Sequence, residues 1–83
     1  MNYKIIERKE ILNEYAANLI GRFDRIIIKE KIKDESNPLS VISEQLCEIK
    51  DKIIGSGNET LEDLAIIEIQ LNVFRDLLKK IDE

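Results

Sequence analysis

Apolar residues recur at steps of three and four along three successive segments, and that spacing permits little besides packed helices. The first row is Ile5, Leu12, Ala16, Leu19, Phe23 and Ile26. The second is Leu39, Ile42, Leu46, Ile49 and Ile53, and the third is Leu64, Ile67, Leu71, Phe74, Leu78 and Ile81. Isoleucine is frequent and mildly favours strands. Its helical spacing outranks that preference, because a strand would need alternation by two.

Punctuation divides the rows. Asp34-Glu35-Ser36-Asn37-Pro38 ends a first helix that is predicted from about Tyr3 to Lys33, with Gly21 as a bend or a close helix approach. Asn37 suits an N-cap and Pro38 the first helical position, so a second helix is predicted over about 38–54. Gly55-Ser56-Gly57 stops it, with Gly55 or Gly57 free to take a left-handed cap. Thr60 followed by Asp63 has the form of a capping box and opens a third helix over about 60–82. Both connections are short, so the reading is all-α: a three-helix antiparallel hairpin or bundle, one helical domain over residues 1–83.

The third helix carries a second row, Ile66, Ile69, Val73 and Leu77. With the first row it covers more than half of the helix circumference, which is more than a surface helix needs. Ile27, Ile28 and Ile32 add further apolar surface. In 83 residues two other helices offer little cover. The expected use of the row is the interface of a symmetric homo-oligomer.

Composition excludes several classes of function. The net charge is −4, which opposes general binding of nucleic-acid polymers. There is no His, and the only Cys is Cys47, so intrachain disulfides, His catalysis and multi-Cys or His zinc sites are ruled out. Cys47 is expected as a small apolar filler beside the core row. The opening MNYKIIERKE is charged at once and does not read as a signal peptide. No apolar run approaches the roughly 20 residues of a membrane span. A cytoplasmic location, no membrane and no cofactor are therefore expected. The Ile, Lys and Asn content suggests a bacterium or its mobile elements.

Two polar patterns remain. Glu7-x-x-Glu10 and Glu48-x-x-Asp51 each place two acids on one helix face, as in helical magnesium-dependent nucleotide pyrophosphohydrolases. Lys50 and Lys52 interrupt the second pair, and a solvated face explains both. More pointed is a basic face, Arg22, Arg25, Lys29 and Lys33, extended by Tyr15 and Asn18. Cations beside an aromatic ring and an amide suit a small anion with a flat base.

The two terminal segments resemble the small helical anti-CBASS sponge proteins of phages. The residues concerned are Tyr3-Lys4-Ile5-Ile6 with Glu10-Ile11, and Ile66-Ile67, Gln70-Leu71, Phe74, Leu77-Leu78 and Ile81. The resemblance implies a compact homo-oligomer that holds a cyclic nucleotide between protomers, without an enzymatic step. The middle, from about Asp24 to Gly57, looks longer than in that family, and Asn18 stands near where a ligand-binding Lys is expected. The resulting expectation is a non-enzymatic phage or mobile-element protein that sequesters an anionic signalling nucleotide at Tyr3, Tyr15, Asn18, Arg22, Arg25 and Lys29. The alternative is a helical inhibitor, immunity or adaptor protein that turns the surplus face of the third helix towards a host protein. A pyrophosphohydrolase is the minor alternative.

Overall fold

The computed structural model describes residues 3–55 and 60–81. Among them it contains three helices and no strand: α1 Tyr3–Lys29, α2 Pro38–Ile54 and α3 Leu61–Ile81. The molecule is rod-shaped, 45 × 24 × 15 Å. Its long dimension follows from α1, because 27 residues at helical rise span about 40 Å.

The three apolar rows meet along one axis. Leu12, Ala16, Leu19 and Phe23 of α1 are buried against Leu46, Ile49 and Ile53 of α2 and Leu64, Ile67, Leu71 and Leu78 of α3. Ile5, Ile26, Leu39, Ile42 and Phe74 are partly buried around them. α1 is the shared wall and packs along both other helices, whereas α2 and α3 touch sparsely. α1 and α3 run in the same direction, since Arg8 meets Glu68 and Tyr15 meets Asn72 further along both helices. α2 returns between them in the opposite sense, and the Ser43 hydroxyl donates to Asp24 Oδ1 of α1 at 2.7 Å.

The predicted caps at α2 and α3 form. Asn37 Oδ1 accepts the Leu39 N–H at 2.9 Å ahead of Pro38. Thr60 and Asp63 cap each other: the Thr60 N–H donates to Asp63 Oδ2 at 3.0 Å and the Asp63 N–H to Thr60 Oγ1 at 3.2 Å. Gly55 does not take the left-handed helical conformation expected of it: its φ of 50° comes with ψ −164°, a combination open essentially to glycine alone, and its N–H closes on the Asp51 carbonyl. Gly57, the alternative cap, lies outside the described residues, as does the expected last helical residue, 82.

Two expectations are corrected. α1 stops at Lys29, not Lys33. The Ile32 N–H reaches back to the Ile27 carbonyl and the Lys31 N–H to the Ile28 carbonyl, with Lys31 at φ 55°. This is a Schellman ending, in which a left-handed residue turns the chain out of the helix and satisfies its last carbonyls. It escaped the sequence because Lys occupies the position where glycine is usual. Beyond it, Ser36 donates its backbone N–H and its hydroxyl to Asp34 Oδ1 at 2.9 and 2.8 Å. These bonds hold the Asp34 carboxyl below its ordinary value, so their contribution is present above the usual aspartate range and is lost as pH falls through the lowered pKa.

Gly21 is the second correction. It sits within continuous helix, and a Cβ added there meets nothing within 4 Å, so it marks no close helix approach. Gly21→Ala is therefore expected to stabilise the fold by about 0.5–1 kcal/mol, because alanine removes backbone freedom from the unfolded chain at no steric cost. Lys31→Gly is expected to stabilise by about 1 kcal/mol through relief of the left-handed strain. Urea unfolding measures both; a loss of stability in either variant would contradict the backbone geometry described.

Candidate functional site

Helix periodicity places the basic face on the flank of α1 that meets α3. Arg22, Arg25 and Lys29 are exposed and stand over Ile26 and Leu78, which complete a concavity of about 180 Å³. None of the three makes an ion pair among the described residues. Arg8 and Arg75, by contrast, have carboxylates at 3.5 Å (Glu68) and 3.6 Å (Asp76). Both of those pairs are half-exposed and worth little, about 0–1 kcal/mol each.

The other residues expected on this face are placed differently. Tyr15 packs partly buried against the core, and its hydroxyl donates to Asn72 Oδ1 at 2.7 Å. Its ring belongs to the α1–α3 seam and offers no open platform for a stacked base. Asn18 is exposed one turn before Arg22. Tyr3 is 79% exposed but stands 19 residues before Arg22, about 29 Å along the helix axis. Within one chain Tyr3 and the cations cannot hold one small ligand.

The second row of α3 faces away from the core. Ile66, Ile69 and Val73 are 56%, 63% and 61% exposed, while Leu77 is half-buried. The reason is geometric: each lies two residues from a core position, about 200° around the helix. Beside this row the sparse α2–α3 contact leaves a cleft of about 330 Å³. Val73, Phe74 and Gln70 line it from α3, and Gln45, Glu48, Ile49 and Lys52 from α2. The sequence reading missed Gln45, Lys52 and Gln70 as lining residues, because no single-helix pattern reports a seam between two helices. A smaller hollow of about 260 Å³ lies near the start of α1, where Ile11 and Leu61 approach each other between Lys4, Glu7 and Arg8.

Cys47 is exposed, which corrects its reading as a filler: one residue past buried Leu46 is a 100° turn off the core face. The two acid pairs do not converge either. Among the described residues no three His, Cys, Asp or Glu side chains gather where they could hold a metal ion. No helix of the described residues is long and apolar enough to cross a membrane.

The profile of the bacterial epsilon antitoxin family matches residues 1–81, so the chain belongs to that family. No curated protein and no solved structure matches it. Family membership overturns the resemblance to anti-CBASS sponges and the reading as a nucleotide-sequestering protein. Among the residues that carried the resemblance, Ile67, Leu71 and Leu78 are core and Ile66 and Leu77 belong to the α3 row, a pattern that any amphipathic hairpin of this size would share. Family membership favours the inhibitor alternative, with a protein as the partner.

Tyr15→Phe tests the seam. Loss of the hydroxyl leaves Asn72 Oδ1 without its donor, at an expected cost of about 0.5–1.5 kcal/mol in thermal or urea unfolding. Unchanged stability would mean that the bond contributes nothing in solution.

Proposed function

We propose that this chain is the antitoxin of a toxin–antitoxin pair and neutralises a toxin protein by direct, non-enzymatic binding. The observation that carries the reading is the family match over residues 1–81. In this reading the chain works by occupancy; it has no His, and among the described residues no acids gather where they could hold a metal ion. What it does have is apolar surface outside its own core.

The docking surface in this proposal is the α3 row Ile66, Ile69 and Val73. Exposed apolar side chains in a continuous row mark interaction sites more often than isolated ones do. Three residues supply only part of the roughly 800 Å² that a stable complex hides on each partner. The surface therefore continues into the adjoining cleft over Ile49 and Phe74. A cleft beside a row offers both a pocket for an anchoring side chain and a flank to exclude water around it, the arrangement in which binding energy concentrates. A homo-oligomer is the rival use of the same row, and the two uses compete for it.

Co-expression with the paired toxin is the direct test. The wild-type chain is expected to rescue growth and to co-purify with the toxin. Ile69→Asp and Val73→Asp each place a charge in the contact and are expected to weaken the complex by at least tenfold, about 1.4 kcal/mol or more. Both positions face away from the core, so the helical circular dichroism and unfolding midpoint should stay near those of the wild type. Rescue by both aspartate variants as strong as the wild type's would exclude the α3 row. Light scattering of the chain alone and with the toxin separates the rival: a stable homo-oligomer that persists unchanged in the complex would assign the row to self-association.

A further inference from the structure

The basic concavity at the far end of the α1–α3 seam plays no part in packing and none in the α3 row. We propose that it takes acidic side chains of the bound toxin, as a second contact area that steers and orients the complex. This rests on the antitoxin reading.

The first argument is what the fold leaves uncompensated. Arg22, Arg25 and Lys29 follow one another at three and four residues, so like charges stand on one helix face. Such neighbours repel by about 0.2–0.5 kcal/mol per pair. The chain has 17 acidic residues against 13 basic ones, yet among the described residues no acid forms an ion pair with these three. Two acids adjoin them in sequence: Asp24 is on the opposite flank of α1, where its Oδ1 accepts the Ser43 hydroxyl of α2 at 2.7 Å, and Glu30 is exposed just past the last residue of α1. α1 and α3 run in the same direction, so Lys79 and Lys80, in the last turn of α3, add positive charge at this same end. An acidic protein thus presents a local cluster of positive charge around this concavity, the arrangement that steers a partner segment of opposite charge.

The second argument is shape. The cations surround a hollow, about 180 Å³, with fully buried Leu78 and half-buried Ile26 beneath it. An apolar floor lowers the local dielectric and strengthens each ion pair relative to a flat, wet surface. Two arginines one turn apart can each take a carboxylate through two parallel N–H bonds. The occupant that fits is a segment bearing two or more Asp or Glu residues beside a small apolar side chain.

The experiment measures association of the full chain with the paired toxin by surface plasmon resonance, at about 50 and about 300 mM NaCl, where screening differs strongly. Arg22→Glu and Arg25→Glu are expected to slow association and to weaken affinity by roughly tenfold or more at low salt, with the deficit shrinking at high salt. Lys33, expected from the sequence on the same face, stands beyond the end of α1 and does not line the concavity, so Lys33→Glu makes the same change of net charge and serves as the control; it is expected to stay within about twofold of the wild type. Arg22 and Arg25 are exposed and form no ion pair among the described residues, so both variants should keep the wild-type unfolding midpoint. Reversal variants that bind like the wild type at both salt concentrations would overturn this inference and leave the antitoxin reading standing. A deficit that does not change with salt, or one that Lys33→Glu reproduces in full, would also overturn it. No binding by the wild-type chain would remove the antitoxin reading and this inference together.

Discussion

Everything in this molecule leans on the buried row of α1. Leu12, Ala16, Leu19 and Phe23 form the wall against which both other helices close, and α2 and α3 have little contact of their own. A large ring at Phe23 and a small methyl at Ala16 on one face let two helices share it, since protein interiors must interlock at near-crystalline density. Because each neighbour is held through α1, a weakening of α1 loosens both seams at once. The same arrangement explains the open cleft between α2 and α3: two helices that meet mainly through a third are not pressed together.

Local chemistry at the helix ends sets where α2 and α3 begin and where α1 stops. Asn37 with Pro38 and Thr60 with Asp63 satisfy N–H groups that a helix start otherwise leaves bare. At the end of α1 the left-handed Lys31 closes the last carbonyls and redirects the chain within a single turn. These devices shorten the connections and keep α2 from sliding along α1, so the three rows meet in register. The Ser43–Asp24 and Tyr15–Asn72 hydrogen bonds then tie each outer helix to α1 at one height.

In the antitoxin reading proposed above, function lies in what the core does not use. The exposed α3 row and the basic concavity sit on different parts of the surface, one apolar and one charged, and together they suit a protein partner better than a small ligand. The sponge resemblance failed for a physical reason. Its residues make up a generic amphipathic pattern, with Ile67, Leu71 and Leu78 in the core and Ile6, Ile11 and Ile66 exposed, and such a pattern says how a chain folds without saying what it meets. The anionic-ligand idea failed similarly: Tyr15, expected to stack on a base, is committed to Asn72, and Tyr3 is at the far end of a 27-residue helix.

The sequence by itself determined the helices, their caps and nearly all of the core, because burial period and end chemistry are local and each is written within a few consecutive residues. Leu46, Leu64 and Leu71 were legible in this way, as were Asn37 and Thr60. The exposure of Cys47 was equally legible from its 100° offset and was misread. Tertiary structure alone decided the Schellman ending at Lys31, where backbone strain is offset by the carbonyls it satisfies. It also decided which polar face became a seam and which stayed open. Tyr15 and Arg22 share one flank of α1, yet one is anchored in the α1–α3 seam and the other faces solvent over Leu78. That distinction depends on where a residue 57 positions away comes to lie, and no pattern within a single helix carries it.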